Sequence, residues 1–254
     1  MMVADYQVVA HEEIAKNIYE ITLRHDPLPA FVAGQFVHVK VDDTSSPLLR
    51  RPLSVARIDV EDATITLIYR SGGLGTNRLT KKQVGDTVNV LGPLGNGFMV
   101  DQVGSGDHAV LVGGGVGIPP LYELAKQLNE RGVRVTTILG FQDKDTSFYV
   151  RAFSKIADVY VTSDDGSIGI EGNVSSAWPL IKDPIDWLFA CGPKPMLKAC
   201  VSWRNQVRKA SFVSLEERMG CGIGACLACV CETTQGQRKV CSDGPVFTAE
   251  EVCL

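Results

Sequence analysis

The sequence has no long apolar run, no excess of basic charge and few histidines, and each lack removes a class of function. Its longest uncharged stretches, such as "AVLVGGGVGIPPLY" at 109–122, are too short to span a bilayer and are interrupted by Gly and Pro. The 25 Lys and Arg against 29 Asp and Glu leave a net charge of -4, so no basic face for nucleic acid is expected. The four histidines, His11, His25, His38 and His108, show no zinc-type spacing, and neither H-E-x-x-H nor G-x-S-x-G occurs. A zinc-protease or α/β-hydrolase reading is therefore excluded, and all four histidines read as surface or core residues. The N-terminal "MMVADYQVVAHEE" lacks the basic region of a secretory signal. A cytoplasmic protein is expected, where thiols stay reduced. Clustered cysteines there bind metal or do redox work more often than they form disulfides.

The 254 residues include 25 Gly and eight Cys, and the 45% hydrophobic content is that of an ordinary globular chain of one or two domains. Up to residue 103 the chain reads as six short strands: "YQVVAHEEI", "IYEITLRHD", "GQFVHVKV", "PLSVARI", "ATITLIYR" and "DTVNVLGP". Each is β-branched and roughly alternating, and Gly, Pro, Asp and Ser separate them, which predicts a small antiparallel barrel or sandwich. From 104 the pattern becomes strand then helix. "HAVLVGGG", "VRVTTILGF", "ADVYVTSDDG" and "DWLFACG" are the strands, and "PPLYELAKQLNERG", "SFYVRAFSKI", "NVSSAWPLI" and "KPMLKACVSWRNQV" the helices. That alternation predicts a doubly wound parallel sheet. After "SFVSLEERM" the chain turns rich in Gly and Cys, so three units are expected: 1–103, 104–212 and 213–254.

Within the second unit, Gly113, Gly114, Gly115 and Gly117 stand between a strand and a helix. Glycines there let backbone approach a phosphate at the helix N-terminus. The strict G-x-G-x-x-G fingerprint fails at Ile118, and the alternative is a plain tight turn. Cys191, Gly192 and Pro193 end a strand at the carboxyl edge, where such sheets bind ligands, though Cys191 can equally be a small buried apolar residue. Asp164 and Asp165 follow the third strand. They would repel a ribose 2′-phosphate and so favour NAD over NADP, unless they form only an exposed acidic turn.

In the first unit, "RRPLS" carries Arg51 and Ser54, and "YRSGGLGTNRL" leads from Tyr69 and Arg70 to a helix start at Gly75 and Thr76. Arg51 and Ser54 are an odd number of positions apart, which places them on opposite faces of an unbent strand. Near the C-terminus, Cys221-x4-Cys226-x2-Cys229 and then Cys241 fit the plant-type [2Fe–2S] spacing. Gly220, Gly222 and Gly224 allow backbone N–H groups to point at sulfur. A four-cysteine zinc site is the alternative, since four thiolates also suit tetrahedral Zn²⁺. Cys231 does not fit the register, and Cys200 and Cys253 carry no assigned role.

The combination of barrel, R-x-x-S, G-x-G-T, GGGVG and CGP resembles the ferredoxin–NADP reductase superfamily, whose barrel binds a flavin and whose α/β half binds a nicotinamide nucleotide. That resemblance implies FAD held by Arg51, Pro52, Leu53 and Ser54, by Ile68, Tyr69 and Arg70, and by Gly75 and Thr76. Arg51 would pair with the pyrophosphate and Ser54 would lie by the reactive edge of the ring. The usual aromatic third in R-x-[YF]-[ST] is Leu53 here, so the aromatic face on the flavin is either missing or supplied elsewhere. NAD would lie on Gly113–Gly117, Asp165 and Cys191–Pro193.

With the C-terminal cysteines, and with "RRPLSVA", "LGPLGNGF", "CGPKPMLKA" and "SLEERMGCGIGACLACVC", the whole chain is similar to the electron-transfer subunits of type B dihydroorotate dehydrogenases. The resemblance implies FAD and one [2Fe–2S] cluster held by Cys221, Cys226, Cys229 and Cys241. It also implies a separate FMN-containing catalytic subunit in a heterotetramer of two plus two, with NAD⁺ as the electron acceptor in pyrimidine biosynthesis. Related FAD/[2Fe–2S] reductase subunits of glutamate-synthase-like, sulfide dehydrogenase or sulfite reductase complexes are the competing reading. A zinc-bearing regulatory module is a further one.

Overall fold

In the computed structural model, which describes residues 1–42 and 47–254, all six expected N-terminal strands form and close on themselves. They are β1 (Met2–Ala15), β2 (Ile18–Arg24), β3 (Phe36–Lys40), β4 (Arg51–Asp59), β5 (Thr64–Arg70) and β6 (Thr87–Leu94). Their order is β1-β2-β5-β4-β3-β6, with β6 returning to β1. Alternation produces the closure: Tyr6, Val8, Val37, Val39, Val88 and Val90 point inward to one core. A short helix, α1 (Leu74–Leu79), follows β5.

The α/β unit is a parallel sheet of β7 (His108–Gly114), β8 (Arg134–Phe141), β9 (Asp158–Ser163), β10 (Ile170–Glu171), β11 (Ile185–Cys191) and β12 (Val207–Ser214). From one edge the order runs β10-β9-β8-β7-β11-β12, so the direction of winding reverses between β7 and β11. That reversal opens a crevice at the carboxyl ends of those two strands. Helix α2 (Pro119–Glu130) fills one face together with the barrel: Leu121, Leu124 and Leu128 share a core with Ala56 and Ile68. Helix α4 (Lys194–Ser202) covers the other face with Met196, Leu197 and Cys200.

Three segments differ from expectation. "SFYVRAFSKI" forms only a single turn, α3 (Val150–Phe153), because Tyr149 is left-handed at φ 60 and blocks an earlier start. "NVSSAWPLI" makes two 3₁₀ turns, Val174–Ser176 and Trp178–Leu180, with Pro179 in the second. Strand β12 was not anticipated, and the boundary expected between 212 and 213 falls inside it. Its first half, "VRKA", is polar; pairing with β11 along Ile185–Cys191 is what makes it a strand.

The C-terminal segment folds back on this sheet. Its strand β15 (Val246–Thr248) adds antiparallel to β12, and β13 (Val230–Thr233) and β14 (Gly236–Lys239) form a hairpin beyond the cysteine loop. The loop itself rests on the outer face of the barrel, where Phe36 and Leu94 share a core with Cys229, Val240 and Cys241. No helix among the described residues is long and apolar enough to cross a membrane.

Candidate functional sites

Two adjoining clefts and the cysteine loop meet along the seam between the three units. The smaller cleft, about 260 Å³, opens at the end of the barrel. Pro52, Leu53 and Ser54 of β4, Ile68, Tyr69 and Arg70 of β5, and Thr76 of α1 all line it. Arg51 and Gly75 lie just outside. A Cβ on Gly75 would collide with the Arg51 guanidinium, so glycine is what lets that cation lie flat against the start of α1. Alternation does separate Arg51 from Ser54. Arg51 has the parity of the inward Leu53 and Val55, but as the first residue of β4 it reaches over α1 instead. A cation beside Thr76 and a helix start suit a diphosphate.

With leucine at position 53, Tyr69 is the aromatic residue of the expected set in the cleft wall. Its ring stacks on Tyr19 at 5.7 Å and its hydroxyl lies 2.8 Å from His11 Nε2. His11 Nδ1 donates to the Lys82 carbonyl at 2.7 Å, since a carbonyl oxygen only accepts. Burial and then the neighbouring Tyr19 raise the Tyr69 phenol far above its ordinary value, so the hydroxyl stays protonated.

The larger cleft, about 560 Å³, lies at the carboxyl ends of β7 and β11. Gly114, Gly115 and Gly117 line it, as do Gly192 and Pro193. Gly113 does not: a Cβ there would press on Ile118 and Leu121, so this glycine serves the packing of α2 on β7. Gly117 lies against the Cys191 carbonyl, which a Cβ would overlap. Cys191 itself is buried in the core at 1% exposure, and burial, followed by the charge of Glu216, pushes its thiol well up. It is a packing residue here and not part of the cleft lining. The acidic pair also divides. Asp164 lines the cleft, whereas the Asp165 carboxylate turns away and accepts from Ser167 N at 2.9 Å and Ser167 Oγ at 2.6 Å.

Arg70, Val116 and Glu216 line both clefts, which therefore adjoin. Glu216 carries no signal in the sequence; it stands at the junction because β12 ends two residues earlier. Part of its side chain meets solvent, yet desolvation by the surrounding protein raises its carboxyl above the ordinary carboxylate value. On the far side, Glu217, Met219 and Pro245 extend the smaller cleft's wall toward the cysteine loop.

In that loop the four expected cysteines meet as two pairs. Cys221 N donates to Cys226 Sγ at 3.3 Å and Cys226 N to Cys221 Sγ at 3.4 Å; Cys241 N donates to Cys229 Sγ at 3.4 Å. Further N–H donors converge: Ile223 and Ala225 on Cys221 Sγ, and Gly224 on Cys241 Sγ at 3.1 Å. Burial pushes the Cys221 thiol up, but these backbone donors, Ile223 and Cys226 foremost, outweigh it and lower it to about 6. Burial, and then Cys229, raise Cys241 to about 12. Among the described residues no three His, Cys, Asp or Glu side chains close around a single point as one ion requires. Two thiol pairs with N–H groups aimed at sulfur fit a dinuclear iron–sulfur group, which takes two thiolates on each iron, better than one tetrahedral zinc. Cys231 lies outside both pairs on β13, where burial and Glu217 raise its thiol.

The family model described as the iron-sulfur cluster binding domain of dihydroorotate dehydrogenase B matches residues 216–253, and that of the oxidoreductase FAD-binding domain matches 5–98. A dihydroorotate dehydrogenase B (NAD(+)) electron transfer subunit from Geobacillus sp. (strain WCH70) is 53% identical over 97% of both chains. That of Lysinibacillus sphaericus (strain C3-41) is 49% identical over 98% of this chain and 97% of its own. Among solved structures, a chain of the NADH-dependent reduced ferredoxin-NADP oxidoreductase superposes with a TM-score of 0.87. It is 32% identical and covers 98% of this chain and 89% of its own. A ferredoxin NADP⁺ reductase from Neisseria gonorrhoeae shares the fold at a TM-score of 0.64 and 16% identity, over 77% of this chain and 87% of its own.

Proposed function

Since this chain belongs to the family of dihydroorotate dehydrogenase B electron transfer subunits, we propose that it links a catalytic partner subunit, which oxidises dihydroorotate to orotate, to the reduction of NAD⁺. The observation that carries this reading is the order of the three sites. The barrel-end cleft lies between the cysteine loop and the nucleotide cleft, with Glu216 at one junction and Met219 at the other. Bound FAD and a [2Fe–2S] cluster supply the change of electron count, because a cluster carries one electron, nicotinamide accepts two as hydride, and flavin can handle both.

The residues of this chain hold and orient. Arg51, kept flat by Gly75, and Thr76 at the start of α1 secure the diphosphate of the flavin nucleotide. Ser54 and Tyr69 line the space for its ring, the latter fixed by its hydrogen bond to His11. Gly114, Gly115 and Gly117 bring backbone close to the nicotinamide nucleotide, and Asp164 favours a free 2′-hydroxyl. Cys221 with Cys226, and Cys229 with Cys241, ligate the cluster. No acid or base on this chain acts on dihydroorotate, so that chemistry belongs to the partner. The partner carries FMN, and the complex contains two copies of each subunit.

The test is the purified complex. An FMN-binding subunit should copurify, anaerobic NADH should bleach the visible flavin and iron–sulfur absorption, and dihydroorotate with NAD⁺ should yield orotate and NADH. Turnover linked only to sulfide or sulfite would overturn the assignment to this partner. A colourless protein containing zinc would overturn the cofactors.

A further inference from the structure

His38 stands apart from the other histidines. His11 and His108 have both ring nitrogens within hydrogen-bond distance of a partner, and His25, partly exposed, reaches the Asp5 carbonyl with Nδ1. His38 is 0% exposed, and neither of its ring nitrogens has a partner. An imidazole carries at least one N–H, and leaving such a donor unpaired in the interior is costly.

The surroundings show what that ring lies against. His38 lies on β3 between Val37 and Val39, which point into the barrel, so its ring projects outward beneath the cysteine loop. There it meets Gly222, the residue between Cys221 and Ile223. A Cβ on Gly222 would come within 2.8 Å of Cε1 and 2.9 Å of both Nδ1 and Nε2. Near-equal distances to these three atoms place that Cβ over the face of the ring at its nitrogen-bearing end, so both nitrogens lie directly beneath the loop. Gly222 also has φ +75, which adds a second reason for glycine beside the close approach. Among the described residues, the N–H groups that reach the cysteine sulfurs are backbone donors of the C-terminal segment itself. The barrel's one unpartnered buried imidazole lies beneath the same loop.

We propose that His38 is a positioning residue for the iron–sulfur cluster, donating its ring N–H to a sulfur of the loaded loop and so fastening that loop to the barrel. This rests on the cluster assignment above. A donor to sulfur favours the more negatively charged reduced state, so it raises the reduction potential. A merely space-filling ring would not.

The experiment uses the full chain carrying FAD and cluster, with iron and sulfide assayed and the cluster titrated by EPR. His38→Phe keeps a flat ring without the donor, and His38→Gln keeps a donor. Expected is a roughly tenfold fall in the reduced-to-oxidised ratio at fixed potential for His38→Phe, about 59 mV for one electron, with most of it recovered in His38→Gln. An unchanged potential in a fully loaded His38→Phe chain overturns the proposal. If His38→Phe does not hold the cluster, wild-type chain labelled with ¹⁵N only in its imidazole rings decides. A ¹⁵N coupling to the reduced cluster supports the donor, and its absence overturns it. Wild-type chain lacking iron and sulfide would instead overturn the cofactor reading itself.

Discussion

The carboxylate of Glu123, on the helix between barrel and sheet, accepts the backbone N–H of Ile58 at 3.0 Å although its residue is only 3% exposed. Its second oxygen accepts from Gln127 Nε2 at 2.8 Å. The bond joins α2 to β4 just past the register shift between Val55 and Arg57. Replacing Glu123 with Leu leaves a buried backbone donor unpaired, at an expected cost of about 1–3 kcal/mol. Glu123→Gln keeps an acceptor and should lose much less. Urea midpoints of the two variants compare them; equal losses would show that the acceptor is not what matters.

The thiol pairs predict which cysteines the cluster needs. Cys226→Ser removes one member of the Cys221 pair and should abolish or greatly reduce bound iron while FAD stays in place. NADH should then still bleach the flavin, but transfer to the partner should fail. Cys231→Ser, outside both pairs, should retain near-normal iron. Iron and flavin content per chain measure both, and equal iron loss from Cys231→Ser would mean that the ligand set is wrong.

Cofactor preference should follow Asp164 and not its neighbour. Asp164 lines the larger cleft, whereas Asp165 is occupied with Ser167. Removing the facing charge in Asp164→Asn should improve use of NADPH relative to NADH by about tenfold, ~1.4 kcal/mol. Asp165→Asn should leave that ratio within about twofold, the ±0.5 kcal/mol typical of a surface change. The ratio of kcat/KM for the two nucleotides with an artificial electron acceptor gives the answer.

Acid should weaken the base of the sheet through Asp107. Its oxygens accept from Lys209 Nζ at 2.7 and 2.8 Å and from Trp187 Nε1 at 2.8 Å. Lys209 first, and then Trp187, hold the carboxyl below its ordinary value. A depressed folded-state value stabilises above the unfolded carboxylate pKa and loses that contribution as pH falls through the folded value. Stability should therefore drop on the acid side, below about pH 4, and Asp107→Asn should flatten that part of the slope. Urea midpoints between pH 3 and pH 7 would reveal it; parallel curves for the two proteins would rule it out.

Much of the architecture was present in local pattern. Short β-branched runs between Gly, Pro, Asp and Ser marked all six barrel strands, including β3 and β5, which are buried on both faces. The cysteine spacing and the glycine turns were equally local, since each is a property of one loop. Segments whose state depends on a neighbour were not legible. Strand β12 begins as the polar "VRKA" and is a strand because β11 pairs with it, and Tyr149's left-handed backbone delays the start of a helix that composition favours.

At the sites, resemblance to a known family singled out residues that line the barrel-end cleft, and the cysteine spacing singled out the four cysteines that meet as two pairs. The sequence did not separate Asp164 from Asp165, or Gly117 in the cleft from Gly113 beneath the helix. It gave no sign of Glu216, Glu123 or His38. Each of these three is defined by what lies across from it, a second cleft, a bulged strand and a glycine of the cysteine loop. Those juxtapositions join residues far apart in the chain, so only packing the barrel, the sheet and the C-terminal loop together could decide them.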